Sequence, residues 1–362
     1  MKTTAEKTAA TARSTKKPVE ESKSDPSKLT LKETKIVTVD KTPQYAIGID
    51  IGGTNTKFGI VDTRGDIYYR GAISTKKHST VKKFIDDLYD AVMPAVESVG
   101  GIVEIKGIGV GAPNGNYYKG TVEYAPNLPW KGIIPLAELI ATKFGVEASL
   151  TNDANAAAVG EMMYGAARGM RDFIMITLGT GVGSGIVANG QLIYGHDGFA
   201  GELGHNIVIP GGRFHQGTGA HGSLEAYASA TGIRRTALEL LDKHHNKKSL
   251  LRNHTPEELE SSNVYECAMD GDEIAKEVFE YTGEILGLAL ANFVMFSSPE
   301  AIILFGGPTK AGDLLLKPVR RHMEENLLPI FRNKVKLLFS LLKESDAAIL
   351  GASALVWETK HI

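Results

Sequence analysis

One cysteine, Cys267, is too few for an intramolecular bridge, so the chain carries no disulfide framework. No run of eighteen or more apolar residues is present to cross a membrane as a helix. An excess of one charge is lacking too. Forty Lys and Arg stand against forty-two Asp and Glu, a formal balance of −2, which gives no broad positive field for a nucleic-acid backbone. These absences leave the expectation of a cytoplasmic protein that handles small molecules, with no nucleic-acid and no membrane partner. Within those bounds, 362 residues with 43% hydrophobic and 23% charged side chains suffice for a large core and two domains.

Large apolar residues are almost missing before Leu29. The stretch from Met1 to Lys41 holds ten Lys and Arg against six Asp and Glu, an excess of four positive charges. Such a segment buries too little to offset the entropy of ordering it, so residues 1–43 are expected to form a disordered tail. Its acids speak against an organelle-targeting peptide, and its lack of an apolar stretch against a secretory signal.

Chemistry begins at Tyr45-Ala-Ile-Gly-Ile-Asp50-Ile-Gly52-Gly53-Thr54-Asn55-Thr56-Lys57. β-prone residues enter and leave the glycine turn, which therefore joins two antiparallel strands. It is neither a P-loop nor a dinucleotide fingerprint, both of which open a helix. A turn without Cβ atoms still lets successive backbone N–H groups approach phosphate oxygens, and Asp50 at the strand end is suited to a hydrated Mg²⁺. An ordinary tight turn is the competing reading. The construction recurs at Phe173-Ile-Met-Ile-Thr177-Leu-Gly179-Thr180-Gly181-Val-Gly183, with Thr177 127 positions beyond Asp50. Two such hairpins predict two similar lobes with a nucleotide in the cleft between them. Gly306-Gly307, after the strand-like Ala301–Phe305, either lets an adenine ring lie against backbone or simply ends a strand.

Between the hairpins, Asn152-Asp153 precedes an Ala-rich helix pattern. Either residue is a natural N-cap. Beside two phosphate-type turns, however, the Asp153 carboxylate is also what phosphoryl transfer to a hydroxyl needs as a proton acceptor. Glu202, His205 and Glu225, with Asn127 in the Pro-fixed loop before Trp130, supply the donors and acceptors that match sugar hydroxyls. Helix-start acid for Glu225, core for Trp130 and a structural role for His205 are the plain alternatives.

In order along the chain, Asp50-Ile-Gly-Gly-Thr-Asn, Asn152-Asp153-Ala-Asn-Ala-Ala, Leu178-Gly-Thr-Gly-Val-Gly-Ser-Gly, Gly201-Glu-Leu-Gly-His205 and Phe305-Gly-Gly resemble the ROK family of sugar kinases, repressors and related proteins, over roughly residues 45–357. Asn127-Leu-Pro-Trp130 and the run from Gly165 to Tyr194 look most like glucokinases of Bacteroidetes type. The resemblance implies an α/β actin-like ATPase (ribonuclease H-like) fold. It would have a smaller lobe over 44–151 and a larger one over 152–362, and the last helix would pack back on the first lobe. It also implies transfer of the ATP γ-phosphate to the 6-hydroxyl of glucose or a related hexose, with Asp153 as general base and a homodimer as the assembly. Asn127, Asn152, Glu202, His205 and Glu225 would hold the sugar. Gly52, Gly53, Thr54, Lys57, Gly179, Thr180 and Gly181 would cradle phosphates, Asp50 would support Mg²⁺, and Gly306 and Gly307 would lie by adenosine.

Two departures stand out. Asn114 occupies a place where many members carry Gly. The family's zinc motif, C-x-C-G-x-x-G-C-x-E, falls on Gln216-Gly-Thr218-Gly-Ala-His-Gly-Ser223-Leu-Glu225, without a thiol, so structural zinc is not expected. A substitute site from His205, His215 and His221 remains open, as do N-acetylmannosamine or another hexose as substrate, polyphosphate as donor, and a non-catalytic sugar-sensing regulator.

Overall fold

A computed structural model describes residues 44–358. The polar tail expected over 1–43 lies outside the described residues.

The first sheet is built from β1 (Tyr45–Ile51), β2 (Asn55–Asp62), β3 (Ile67–Ser74), β4 (Ile105–Gly111) and, after the short strands β5 (Gly115–Asn116), β6 (Thr121–Glu123) and β7 (Ile133–Ile134), β8 (Ala148–Thr151). Their spatial order is β3-β2-β1-β4-β8, antiparallel across the two hairpins and parallel from β1 outward through β4 to β8. The second sheet repeats the plan with β9 (Phe173–Leu178), β10 (Val182–Ala188), β11 (Gln191–Leu192), β12 (Ala301–Phe305) and β13 (Lys336–Phe339), in the order β11-β10-β9-β12-β13. The central strands are buried almost throughout, which is why they read as continuous apolar runs instead of alternating ones.

Helices α1 (Val81–Ser98) and α2 (Leu136–Phe144) cover the first sheet, and Phe84, Leu88, Ile108, Leu136 and Ile140 fill that core. Helix α3 (Asp153–Tyr164) follows β8 and runs between the sheets. Ala154 and Ala158 lie against Gly183 and Gly185 of β10 so closely that a Cβ on either glycine would come within 2.9 and 2.7 Å. The larger core is helical. It gathers α4 (Glu225–Ala228), α5 (Ala230–Lys243), α6 (Ser261–Met269), α7 (Glu273–Ser297) and α8 (Asp313–Asn326) over the second sheet. Among the described residues, α7 is long and apolar enough to cross a membrane, but its apolar side is the centre of this core. A Cβ on Gly287 would meet Val319 O of α8 at 2.6 Å, so the two helices cross in close contact.

The last helix, α9 (Ala347–Ala354), leaves the second sheet and packs on β1, β4 and α3. Gly48 and Gly109 make the approach possible, since a Cβ on them would meet Ile349 O at 2.2 Å and Ala352 O at 1.8 Å. Arg70 of β3 pairs with Asp346 at 2.9 Å just before the helix.

Candidate active site

One cavity of about 610 Å³ collects residues from both sheets. Its floor is the start of α3. Asn152, not Asp153, is the N-cap: its Oδ1 accepts the Asn155 amide at 2.7 Å. Capping is thereby satisfied by the neighbour, and the Asp153 side chain faces the cavity, accepting the Ala154 amide at 2.9 Å. Asp153 is open to the cleft but ringed by protein on every other side, so loss of hydration raises its carboxyl above the usual range, against two backbone N–H contacts that lower it. Asp50 lines the same cavity. Burial, then the charge of Asp153, push its carboxyl up to about 6, with Lys57 pulling the other way. Two carboxylates in one cleft titrate as a pair.

The second glycine turn closes the cavity beside them. Gly179, Thr180 and Gly181 line it, and the Gly179 amide donates to Gly181 O at 2.9 Å, which fixes the turn. Gly306 and Gly307 lie opposite, and Gly306 needs its missing Cβ twice over, having φ near +110° and Leu178 O only 2.1 Å from where a Cβ would be. The first hairpin sits differently. Asp50 reaches the cavity, whereas Gly52, Gly53, Thr54 and Lys57 are not among the described residues that line it. Gly53 instead packs on the Asn127 backbone, where a Cβ would come within 2.5 Å of Asn127 O.

Asn127, Asn152, Glu202, His205 and Glu225 all line the same cavity. Asn127 stands in a braced loop. Trp130 is buried in the first core and donates Nε1–H to His78 O at 3.0 Å, and Lys131 donates to Pro126 O and Leu128 O. Burial raises the Glu202 carboxyl, as do the charges of Asp153 and Glu225, while His205 opposes them from 3.8 Å away. Ser184 of β10 donates its Oγ–H to Gly201 O and accepts the Leu203 amide, tying the Glu202 segment to that strand. Glu225 opens α4, and its Oε2 accepts the Val182 amide at 2.7 Å. Gly181 permits this, since a Cβ there would stand 2.3 Å from that oxygen. Asn114, at φ 51°, adopts the left-handed conformation that asparagine tolerates, with Nδ2 donating to Glu123 O.

In the loop before Glu225, the thiol positions of the family motif carry Gln216, Thr218 and Ser223. Thr218 Oγ1 is engaged by His215 Nδ1 at 3.0 Å and by the Ala220 amide, and Ser223 Oγ is buried with no partner among the described residues. Neither hydroxyl is a competent zinc ligand. His221 turns away to Gly212 O at 3.1 Å, so the three-histidine substitute does not assemble. His205, His215 and Glu225 come together instead. What secures the loop is Arg213, a residue without a sequence signal. It is 8% exposed, donates to Ala226 O, Gly232 O, Thr236 Oγ1 and Glu239, stacks over the Tyr227 ring, and its amide donates to the Tyr227 hydroxyl.

The chain is 36% identical over 320 residues to a glucokinase of Halalkalibacterium halodurans, covering 88% of this chain and 96% of that one. It is 33% identical over 313 residues to a glucokinase of Thermotoga maritima, covering 86% and 97%. Among solved structures, a ROK family glucokinase from Streptomyces griseus in complex with glucose and AMPPNP superposes with a TM-score of 0.71 at 33% identity, over 86% of this chain and 98% of that chain. The chain has the actin-like ATPase fold of ROK proteins, with two α/β lobes about a cleft. The family model for ROK proteins matches residues 46–359, so the chain belongs to the ROK family.

Proposed function

We propose that the protein is an ATP-dependent glucokinase that transfers the γ-phosphate of ATP to the 6-hydroxyl of glucose. The observation that carries the reading is one cavity lined both by the sugar-type set around Glu202 and by the glycine turn at Gly179–Gly181, with the Asp153 carboxylate facing it. The Streptomyces griseus relative binds glucose and AMPPNP together, which supports the same pairing of ligands here.

In this reading Asn127, Asn152, Glu202, His205 and Glu225 orient the hexose so that its 6-hydroxyl meets Asp153. Asp153 accepts the hydroxyl proton as the oxygen attacks phosphorus. Its carboxyl, raised by burial, is suited to the task, because a carboxylate of higher proton affinity accepts the hydroxyl proton more readily. Backbone N–H groups of Gly179–Gly181 lie against the phosphates, and Gly306 and Gly307 against adenosine. The first hairpin contributes through Asp50, which would hold Mg²⁺ through water to offset phosphate charge; Gly52, Gly53, Thr54 and Lys57 would meet phosphate once the lobes close. Closure also excludes water, which would otherwise compete for the γ-phosphate. We divide the chain into lobes at 44–151 and 152–362, with α9 completing the first, and assign a cytoplasmic homodimer.

ADP release from ATP across a panel of hexoses, with N-acetylmannosamine included and polyphosphate as a parallel donor, tests the proposal. Glucose with ATP is expected to give the highest kcat/KM. No rise above the sugar-free background with any hexose would sink the kinase reading. A single peak in size-exclusion chromatography with light scattering, at twice the 38.9 kDa chain mass, is expected for the dimer.

A further inference from the structure

Both oxygens of Glu225 are held before any sugar arrives. Oε2 accepts the Val182 amide, and Oε1 lies 2.8 Å from Nε2 of His215. His215 is fixed on its far side as well. Its Nδ1 lies 3.0 Å from Thr218 Oγ1, and that hydroxyl accepts the Ala220 amide at 3.3 Å. With the amide donating to it, the Thr218 hydroxyl has its own proton free for Nδ1, which leaves the ring proton on Nε2, the nitrogen beside Glu225. Glu225 lines the cavity; His215 stands behind it, outside the lining.

We propose that His215 is a positioning residue for sugar binding: anchored by Thr218, it fixes the Glu225 carboxylate in the orientation that receives sugar hydroxyls, and it does so through a proton, with no metal. The inference rests on the glucokinase reading above. Without His215, Glu225 keeps only its Val182 contact, so one oxygen is free to swing and the sugar must order it on binding. That raises KM. Asp153 is untouched, so kcat stays.

A metal shared by His205, His215 and Glu225 is the rival, since one ligand atom from each lies within 4.8 Å of the others. Distances favour the proton. Ligand atoms of a tetrahedral zinc, each about 2.0 Å from the ion, stand about 3.3 Å apart. His215 Nε2 and Glu225 Oε1 are closer than that, at the separation of a charge-assisted contact. Their remaining atoms are already committed to Thr218 and Val182.

The test uses full-length protein without a histidine tag, as wild type, His215→Leu, His215→Gln, Thr218→Val and Glu225→Gln. Steady-state kinetics are taken with glucose and with a series of singly deoxygenated glucoses. His215→Leu is expected to raise the glucose KM about tenfold or more, the loss typical of a contact to a charged group, with kcat within about threefold. The deoxy position whose penalty vanishes in Glu225→Gln should be the position whose penalty shrinks in His215→Leu. His215→Gln, whose amide retains an N–H for the carboxylate, should recover most of the KM, and Thr218→Val should fall between. Imidazole nitrogen NMR of the sugar-free protein should place the His215 proton on Nε2, with a signal that moves in Glu225→Gln. An unchanged KM in His215→Leu overturns the proposal. So does an equal loss in His215→Gln, which would mark a packing role, and so does near one zinc per chain whose removal abolishes activity until zinc is restored. A wild type that phosphorylates no hexose would sink the glucokinase reading and the sugar role of His215 with it, while the imidazole signals would still report the His215–Glu225 pair.

Discussion

Replacing Asp50 with asparagine is expected to make the protein more stable while removing its activity. Burial and the Asp153 charge lift the Asp50 carboxyl to about 6 in the folded state, from an ordinary 3.8. The native state therefore binds that proton more tightly than the unfolded chain does, and stability falls as pH rises across the window between the two values. The contribution is complete below 3.8 and is gone once the pH has climbed through about 6. Each tenfold gain in proton affinity on folding is worth about 1.4 kcal/mol, so the ionised carboxylate destabilises the fold by up to about 3 kcal/mol. Because Asp50 faces a water-filled cleft, screening reduces this, and about 1–3 kcal/mol is the working range. Asparagine has nearly the same shape and no charge to desolvate. The difference between Asp50→Asn and wild type should be near zero at about pH 4 and reach its full value by about pH 7, raising Tm there by about 1–4 °C. Thermal melts of both proteins across this pH range give the comparison, since the other titrating groups are present in both and the substitution alters the charge surroundings chiefly of Asp153 and Lys57. A difference that does not vary with pH, or a mutant less stable than wild type at neutral pH, would refute the reasoning. In wild type the same carboxyl pair sets the acid limb of activity: kcat/KM should decline as pH falls through about 6, where Asp50 takes up its proton.

Asp153→Asn should lower kcat by the ~10²–10⁴ typical of a lost general base, with sugar affinity measured by calorimetry nearly unchanged; most of kcat surviving would return Asp153 to a purely structural role at the helix start. Gly181→Ala places a methyl group on Glu225 Oε2, so it should raise the glucose KM while melting temperature moves little, and an unchanged KM would mean that Glu225 does not contact sugar. Arg213→Ala should destabilise by about 2 kcal/mol, less than a fully buried pair because Glu239 is half exposed, and limited proteolysis should then cut between residues 206 and 224 first. Equal protease resistance of mutant and wild type would show that packing alone holds the loop.

The lobed plan is legible in the chain because its elements carry local signals: β-prone runs on each side of Gly52-Gly53 and again of Gly179–Gly181. Asp153 is legible through its neighbours, yet the choice between Asn152 and Asp153 as cap is not, because both are good caps and only backbone geometry assigns one. Trp130 is core, the plain reading. Arg213 is invisible, since nothing in a Gly-rich loop says that an arginine will be buried across α4 and α5. His215 stands out in the chain only as one of three imidazoles from which a substitute metal site could be built, beside the expectation of no zinc. Nothing there hints that a threonine three residues on would take its Nδ1, or that His221 would face a carbonyl. Those outcomes depend on tertiary placement, which periodicity does not encode.

Helix α9 gives the molecule an awkward order of manufacture. The strands it covers, β1 and β4, leave the ribosome more than two hundred residues before it does. At about 5–20 residues per second the delay is on the order of ten seconds or more. Throughout that interval Gly48, Gly109 and the apolar residues beside them form an uncovered surface on a half-built sheet. Folding of the earliest-made strands therefore finishes only with the last-made helix, and a ribosome that stalls short of residue 347 leaves a nascent chain whose first sheet invites chaperones and proteases before any part of the molecule can bind sugar.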